Sequence, residues 1–557
     1  MTPAVLSAHT VSAYNPGMDP FTDAEAGAAG DETAHSCGRT PGAGGRSPDA
    51  ADGPGPDGRG GREEPGRRAV LAYGAAAGVS TLAAVGFDGA EAEAAQGRQV
   101  RRTVRGHLAA GAPDFVHLPV QVPEGVRELT VRYRYDRPEV PAGTPGNALD
   151  IGVFDERGTQ LGGRGFRGWS GGFRDAFTLS AEKATPGYLP GPVRPGTWHV
   201  VLGPYTVAPR GMDYEVTVEL RYGSPGSTPR PVYPPERARG RGRAWYRGDC
   251  HLHTVHSDGA RTPAEVAAAA RRAGLDFLAT TEHNTTSGHA AWEGLWGDDL
   301  LVLCGEEVTT RNGHWLALGT DPGTFVDWRY RARDGVWPRF ARAVHRAGGL
   351  VVPAHPHCPF VGCRWKFGFE GADAVEVWNG PWTADDEHAV AAWDNLLVAR
   401  DDWLPAMGNS DAHREGQDVG LPQTVVYADD LARGPLLEAL RAGRSYLAES
   451  SRVVLLLEAV DEYGGHALPG GTLHADAGRR VTVTVRAEGA PEGATLRLLT
   501  DEGEMCTGPA PSLSWDTTPR LATYVRAELR HPAGKGAQLP GAMAAMTNPV
   551  WLGGDRR

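Results

Sequence analysis

Between residues 98 and 225 the chain alternates apolar and polar positions in short runs that are separated by Gly and Pro. Side chains of a β-strand point alternately to two faces, so this period of two predicts antiparallel strands with one buried face. Typical runs lie at residues 128–135, 148–154, 197–202 and 214–220. The pattern predicts a β-sandwich accessory module at 98–225, followed by a Pro- and Arg-rich linker at 226–244.

Residues 245–450 instead alternate strand-like and helix-like segments. The sequence Thr262-Pro-Ala-Glu265 is a capping box with Pro at the first helical position, so it predicts the start of a helix that ends near Gly274. A second helix is predicted at 336–347, and strands are predicted at 277–281, 300–308, 350–354, 374–378 and 404–407. Repeated strand–helix units indicate an α/β domain with a parallel sheet covered by helices, either open or closed as a barrel.

Alternating positions return after residue 450, for instance at 480–486. They predict a second small β module at 451–557 that closes the chain. At 557 residues the chain is longer than one ordinary core, and three folded units with tails agree with its length.

The first 95 residues follow a different pattern. Residues 1–66 are rich in Gly, Ala, Pro, Asp and Ser and carry no apolar periodicity, which predicts a disordered extension. Arg67-Arg68, a weakly apolar run at 72–87 and small residues near Ala92 then follow in the order of a twin-arginine signal peptide at 67–95. We therefore expect a secreted or extracytoplasmic protein without a stable transmembrane anchor, whose true start codon lies downstream of Met1.

Charge and cysteine content narrow the function classes. A formal net charge of -12 and a pI near 5.9 argue against a nucleic-acid partner, which normally selects a basic face. The six cysteines are too few for a disulfide scaffold and show no C-x-x-C spacing. Cys358 and Cys363 bracket a short loop, and the sequence leaves a local disulfide and two free thiols equally open.

Histidines and acids cluster where the predicted strands of the central domain end. Of the 19 histidines, 11 lie between residues 251 and 413. The motifs are Asp249-Cys-His-Leu-His-Thr254 with Asp258, Thr281-Glu-His-Asn284, Gly305-Glu-Glu-Val-Thr309 with His314, Ala354-His-Pro-His357 and Asn409-Ser-Asp-Ala-His413. Imidazole and carboxylate suit Zn, Mn or Fe, and because one ion takes three or four protein ligands, this set predicts two or three divalent ions.

The alternative is that these are buried, hydrogen-bonded histidines and helix-capping acids. It holds for a single residue more readily than for five strand ends in succession. His256, His289, His345 and His388 lack a partner at ligand spacing and are interpreted as structural or surface residues. The spacing does not assign His357.

Across residues 249–413 this order of motifs resembles the PHP family of metallohydrolases, named for polymerases and histidinol phosphatases. The resemblance is strongest to its CehA/McbA-like exported branch, which includes carbaryl-type ester hydrolases, and the closing residues 546–551, Met-Thr-Asn-Pro-Val-Trp, also look like that branch. The resemblance implies a distorted (β/α)7 barrel with up to three metals, flanked by N-terminal and C-terminal β-sandwich-like modules.

The resemblance also implies roles for individual residues. His251, His253 and Asp411 would hold the first ion, Glu307 would bridge to the second, His314 and His355 would complete the second, and Asp258, His283 and His413 would hold the third. Glu282 stands where the family usually has Asp, so whether it is a ligand or a supporting residue stays open.

The expected function is an exported hydrolase that uses a metal-activated water, with a small-molecule ester as its substrate. A phosphoesterase acting on small phosphate esters or diesters is the leading hypothesis. Its rival is a carboxylic or carbamic ester hydrolase, for which Trp365, Trp378 and Trp382 offer an apolar pocket, and a third alternative is a non-catalytic protein whose β modules bind carbohydrate or cell wall.

Proton transfer is assigned to Asp411 or to a histidine that holds no metal, with His413 or Glu282 as lesser candidates. Candidate substrate contacts are Arg311, Lys366, Trp378 and Asn379. For the cationic residues Arg311 and Lys366, solvated surface charge is the simpler interpretation.

Overall fold

The computed structural model describes residues 35–36, 98–141, 146–360, 362–399, 403–534 and 540–553. All of them belong to one unit of the chain. Apart from a two-residue strand, β1 (His35–Ser36), whose backbone pairs with a late strand, the expected disordered extension and signal peptide lie outside the described residues. No described helix is both long enough and apolar enough to cross a membrane.

Two antiparallel four-stranded sheets make up residues 99–222. Their orders are β2-β9-β4-β7 and β3-β8-β5-β6, with β2 Gln99–Leu108, β3 Val116–Val122, β4 Val126–Tyr135, β5 Ala148–Phe154, β6 Phe166–Gly171, β7 Ala176–Ser180, β8 Gly196–Thr206 and β9 Met212–Tyr222. The inward residues of both sheets, among them Val131, Ile151 and Trp198, share one apolar core, as the alternating sequence requires. We call residues 98–222 the N-terminal module.

In the described residues of the central part of the chain, nine strands and four α-helices follow. The strands are β10 Ala244–Asp249, β11 Phe277–Thr280, β12 Leu301–Thr310, β13 Gly313–Leu318, β14 Leu350–Ala354, β15 Val375–Asn379, β16 Ala406–Asn409, β17 Gln423–Ala428 and β18 Ser445–Ala448. The helices are α1 Pro263–Arg272, α2 Trp337–Arg346, α3 Ala384–Ala399 and α4 Arg433–Arg441, and a single 3-10 turn spans Ala332–Asp334.

Helix α1 begins at the predicted capping box. Thr262 accepts from the backbone N–H of Glu265 at 3.3 Å, and the Glu265 carboxylate accepts from the backbone N–H of Thr262 at 2.7 Å. The helix buries Val266 and Ala270 against the sheet. Its position fixes the connection between β10 and β11 and keeps these two strands parallel.

The strand arrangement differs from a ring of seven parallel βα units. In the described residues, β10, β11 and β12 are parallel, but β12, β13 and β14 are antiparallel neighbours, and β17 runs antiparallel to β10. Two residues, Arg311 and Asn312, join β12 to β13, which permits a hairpin but not the crossover of a dozen residues that parallel strands need. A separate parallel pair, β15 and β16, completes the domain, so the fold is a strand-rich α/β fold in which a (β/α)7 barrel is not shown.

The C-terminal strands continue the central sheet. They are β19 Val454–Asp461, β20 His466–Ala467, β21 Thr472–Leu473, β22 Val481–Glu488, β23 Thr495–Thr500, β24 Gly503–Pro509, β25 Ser512–Thr517, β26 Tyr524–Arg530, β27 Met543–Thr547 and β28 Val550–Leu552. Because β27 pairs with β18, one sheet crosses the expected boundary at residue 450, and β19, β20, β22 and β25 form a second sheet over it.

The N-terminal module packs on the central domain through a shared aromatic cluster. Phe166 stacks on Phe325 with ring centroids 3.9 Å apart, and Trp169 lies 4.7 Å from Trp328. Phe166, Trp169 and Trp328 are buried in one apolar core with Trp315 of β13, and the partly buried Phe325 packs against it. The module therefore sits beside the strand ends that carry the histidines.

Candidate metal centre

The strand ends bring the predicted ligand residues together. Their positions are His251 and His253 after β10, Asp258 before α1, His283 after β11, Glu307 in β12, His314 in β13, His355 after β14, and Asp411 and His413 after β16. Neighbouring strands end at one edge of the sheet, so residues far apart in sequence meet there. The structure assembles them into three adjoining groups.

The first group is formed by His251, His253 and Asp411. Oδ1 of Asp411 lies 2.9 Å from Nε2 of His253 and 3.3 Å from Nε2 of His251. Oε2 of Glu307 lies 3.5 Å and 3.4 Å from the same two nitrogens. Ligands held about 2.0–2.2 Å from one cation stand roughly 3.0–3.5 Å apart, so these separations fit a shared ion.

The second group lies on the other side of the Glu307 carboxylate. Its Oε1 is 3.0 Å from Nδ1 of His314 and 3.2 Å from Nε2 of His355. The two carboxylate oxygens therefore face two different groups. Oε2 also lies 2.6 Å from Nδ1 of His283. Glu307 could therefore serve ions in more than one of these groups if they were bound.

The third group consists of Asp258, His283 and His413. Oδ1 of Asp258 is 3.3 Å from Nε2 of His283 and 3.2 Å from Nε2 of His413. The ring of His253 stacks between the two histidines, with centroids 4.2 Å and 4.1 Å away. The first and third groups thus adjoin through His253.

Five atoms of these groups are buried and lie close to one another without forming a properly directed hydrogen bond. They are His251 Nε2, His253 Nε2, Asp258 Oδ1, Glu307 Oε2 and Asp411 Oδ1. An unsatisfied buried polar atom is expensive, and native proteins leave few of them. Since all five converge on the same small volume, the donor set fits divalent cations, which would satisfy these atoms together.

The electrostatics of the groups favour ligand-competent carboxylates. Burial opposes ionisation of Glu307, but His283, His251 and His314 outweigh it and hold the pKa of Glu307 well below its usual range. His283 and His413 do the same for the pKa of Asp258. Burial, with the neighbouring His413 and His283, lowers the pKa of His253 to about 3, so this imidazole is neutral at pH 7.

Backbone strain is concentrated at this site. In the described part of the chain, the non-glycine residues with positive φ are Asn284 at 54°, His355 at 29° and Asp411 at 48°. Positive φ costs a non-glycine residue on the order of 1–3 kcal/mol and persists where surrounding contacts enforce it. His355 and Asp411 belong to the metal groups, and Asn284 follows His283 directly.

Glu376 supports the first group and was not among the predicted site residues. Its carboxylate lies 3.1 Å from Nδ1 of His251, which leaves Nε2 to face the cluster. It also accepts from Asn409 at 2.8 Å and from the backbone N–H of His355 at 3.0 Å. A carboxylate that orients a ligand histidine in this way raises its basicity and fixes its tautomer. An acid inside the apolar run 374–378 was the available sequence signal.

Glu282 supports a loop and is not part of the three groups. Its carboxylate accepts hydrogen bonds from the hydroxyls of Thr254 and Ser257 and from the backbone N–H of Thr254. These bonds fix the loop between His253 and Asp258. Burial raises the pKa of Glu282, and the bonds from Ser257 and Thr254 oppose that rise.

The other histidines near the site lie outside the three groups in the described residues. His289 is buried, with Nε2 at 2.8 Å from the Gly305 carbonyl and Nδ1 accepting from Gly323. His345 pairs with Asp373, and His388 is exposed. His357 lines the pocket beside the cluster without joining a metal group in the described residues.

A pocket with a volume of about 400 Å³ opens onto the cluster. Of the candidate substrate contacts, Arg311 and Asn379 line it. Lys366 is exposed and donates to the Arg364 carbonyl, and Trp378 is buried and donates to the Gly380 carbonyl. Trp365, Trp378 and Trp382 are absent from the described lining, so the expected tryptophan pocket is wrong in its residues.

Cys358 and Cys363 form a disulfide. It closes a loop directly after the ligand candidate His355, and Sγ of Cys363 lies 3.3 Å from Nδ1 of His355. The sequence left this pairing open. The bond ties the loop to the second metal group.

Comparison with known protein families and with curated proteins finds no match. Among solved structures, this chain is similar to a two-domain protein from Bacteroides vulgatus that contains a predicted PHP-like metal-dependent phosphoesterase. The sequence identity is 17%, the match covers 58% of this chain and 100% of that chain, and the TM-score is 0.32. It is also similar to an amidohydrolase from Chromobacterium violaceum, with 23% identity, 31% and 89% covered, and a TM-score of 0.23. At these scores the likenesses do not assign an activity to this chain.

Proposed function

We propose that this chain is a metal-dependent hydrolase of the PHP type. The observation that carries the proposal is the convergence of nine His, Asp and Glu side chains, five of them with an unsatisfied buried atom aimed at a common volume. The order of motifs along the chain supports the same family, including its exported branch. Two or three divalent ions, of Zn, Mn or Fe, are the expected cofactors.

His251, His253 and Asp411 would hold the first ion, His314 and His355 the second, and Asp258, His283 and His413 the third, with Glu307 between the first two. When bound, such ions lower the pKa of a coordinated water and stabilise negative charge on substrate oxygens. The chain itself supplies the geometry around them.

Asp411 is the group best placed to accept a proton. It lines the pocket, and its Oδ2 lies 3.4 Å from the Nδ2 of Asn379, on the side away from the two first-group histidines. His413 donates Nδ1–H to the Asp411 carbonyl at 2.7 Å, so its Nε2 is directed to Asp258 rather than to the pocket. Glu282 supports the loop and does not reach the substrate side.

Phosphate esters or diesters are the substrates that we favour. The three adjoining groups of candidate ligands would hold cations close together, and such cations would supply charge stabilisation for the several oxygens of a phosphoryl group. The rival, hydrolysis of carboxylic or carbamic esters, is favoured by a different observation, the aromatic lining of the pocket. Carbohydrate or cell-wall contact through the β modules stays a prediction.

A paired ester screen tests the activity. Full-length protein loaded with Mn or Zn is assayed on 4-nitrophenyl phosphate, bis(4-nitrophenyl) phosphate, 4-nitrophenyl acetate and phenyl N-methylcarbamate. We expect turnover of a phosphate ester that is lost with chelator and in Asp411→Asn. Turnover of the acetate or carbamate alone would support the rival, and no turnover of any ester by metal-loaded protein would contradict the proposal.

Export through a twin-arginine signal is a separate proposal. Arg67-Arg68 and the apolar run after them support it, and the Cys358–Cys363 disulfide suits an oxidising compartment. In a host with this pathway we expect the wild-type chain outside the cytoplasm and Arg67→Lys/Arg68→Lys retained inside. Equal export of both chains would contradict it.

A further inference from the structure

The pocket above the metal cluster is walled by aromatic residues from two separate parts of the chain. Its aromatic lining residues are Phe115, Trp169, Phe173 and Tyr205 of the N-terminal module, with Trp328 and Phe360 of the central domain. The cluster forms the polar base of the same pocket, which has the volume of a small-molecule site. A ligand that reaches the cluster therefore contacts the N-terminal module.

The module is fixed in this position by buried contacts. Trp169 and Phe115 both pack against Trp328, with ring centroids 4.7 Å and 6.1 Å away. Arg331 forms an ion pair with Asp114 at 2.6 Å, directly beside Phe115. Trp169 and Trp328 of the aromatic wall thus belong to a packed core that the module shares with the central domain, and Phe115 packs against it.

Phe173 is a wall residue that is exposed to a ligand in the pocket. It lies in the turn between β6 and β7 and is 41% exposed. The next residue, Arg174, donates to the carbonyls of Val255 and Pro186, and Val255 belongs to the loop between His253 and Asp258. The turn is therefore anchored to the loop that carries two ligand candidates.

Phe360 lines the same pocket from the disulfide-closed loop. It is 47% exposed. Its loop follows His355 and is closed by the Cys358–Cys363 bond. Two exposed phenyl rings on independently anchored loops give the pocket an apolar rim.

The charges that line the pocket argue against a strongly anionic ligand group outside the part that meets the cluster. Among the described residues that line the pocket, Arg311 is the one with a cationic Lys or Arg side chain. Its guanidinium already donates to the carbonyls of Tyr205 at 2.8 Å and Pro204 at 2.7 Å. It also stacks on the Tyr205 ring. Beyond the cluster, the pocket thus offers aromatic surface rather than free cations.

We propose that the N-terminal module completes the active site, with Phe173 and the neighbouring aromatic wall binding an aromatic or similarly flat apolar group of the ester. This proposal rests on the proposed hydrolase function, because the cluster is taken to bind the polar head. It makes Phe173 a specificity-determining residue.

Binding of ligands that cannot be hydrolysed, compared in pairs with and without a phenyl group, tests the proposal without turnover. Calorimetric titrations of the metal-loaded full chain compare phenylphosphonate with methylphosphonate, and benzoate with acetate. We expect the wild type to bind the phenyl member of at least one pair about tenfold more tightly, and Phe173→Ala to lose most of that preference. Phe360→Ala is expected to reduce it from the other side of the rim.

Tyr463→Ala is the matched control, because Tyr463 is 76% exposed and lies outside the pocket lining. It should leave the preference unchanged. Equal affinity within both pairs, an unchanged preference in both phenylalanine variants, or no binding by any of the four ligands would overturn the proposal. If the chain prefers the phenyl ligands but turns over no ester in the screen, the hydrolase function is contradicted, whereas ligand binding by the aromatic wall is supported.

Discussion

Two adjacent glutamates on β12 have opposite environments. Glu306 and Glu307 are both fully buried, but successive strand residues face opposite sides. Glu307 meets the histidines, whereas Glu306 accepts from the backbone N–H of Val326 at 2.8 Å, and burial raises its pKa well above the usual range. At the residue scale, the face of a strand decides whether a buried carboxyl group meets the histidines, which lower its pKa, or lies in the core, where burial raises it.

Glu307→Gln is expected to lose at least one bound metal ion per chain, because the bridging carboxylate serves two groups. Glu306→Gln is the matched control: an amide resembles a protonated acid and keeps the bond to Val326. Elemental mass spectrometry of both variants measures the difference. Equal metal content in the two variants would contradict the bridging role.

His289 gives a pH-dependent stability term. Burial lowers the pKa of His289 to about 4, although the bond to Gly305 opposes this, against 6.5 when unfolded. The neutral form is favoured on folding, so the stabilisation is present above pH 6.5 and is lost as the pH falls toward 4. By linkage, about 2 kcal/mol should be lost by pH 5.

Denaturant unfolding of wild type and His289→Gln at pH 7.5 and pH 5 measures this term. The wild-type advantage should shrink by that amount at the lower pH. An advantage that is the same at both pH values would contradict the assignment.

The nine ligand candidates were readable from sequence because they fall in five short motifs, most of which place a His beside an acid or a second His where a predicted strand ends. Glu376 was not, since its role depends on β15 lying next to His251 in space. The same holds for Asp249, which accepts from Ser410 and Gly420 of distant loops. The acid inside the apolar run 374–378 marks a position, but a contact with a remote segment cannot be assigned from one sequence.

At the element scale, the β12–β13 hairpin sets the second metal group. Gly313 begins β13 with φ of 116°, and a Cβ there would lie 2.6 Å from the Cα of Trp365. The close approach of these two backbones holds His314 opposite the loop that follows His355. Only glycine satisfies both the dihedral angle and the contact.

Gly313→Ala should therefore lower stability by about 1–3 kcal/mol and weaken metal binding at the second group. Gly434→Ala is the control, because Gly434 lies in α4 with open space around it, and Ala there should leave stability unchanged or raise it by up to about 1 kcal/mol. Thermal unfolding and metal titration measure both effects. Gly313→Ala behaving like the control would contradict this role of the hairpin.

The sequence predicted elements better than their arrangement. Strand β14 and helices α1 and α2 lie within a residue or two of the predicted bounds, because periodicity and capping are local signals. The antiparallel order of β12, β13 and β14 was not predicted, although the short connection of two residues between β12 and β13 indicates a hairpin. Helices α3 and α4 were not predicted at all.

At the scale of the whole molecule, the flanking strands are integrated with the central domain. The C-terminal strands extend its sheet through β18 and β27, and the N-terminal module shares a core with it. Composition and periodicity predicted where these segments lie in the sequence, but they did not predict how the segments pack together. This integration gives the N-terminal module its place in the pocket.

The central claim is that the cluster is a multinuclear metal site. Its most direct test is elemental mass spectrometry of the full chain purified without chelators, beside His253→Ala. The account predicts two or three equivalents of Zn, Mn or Fe per chain and at least one fewer in the variant, since His253 adjoins two groups. No bound metal in the wild type, even after incubation with these ions, would contradict it.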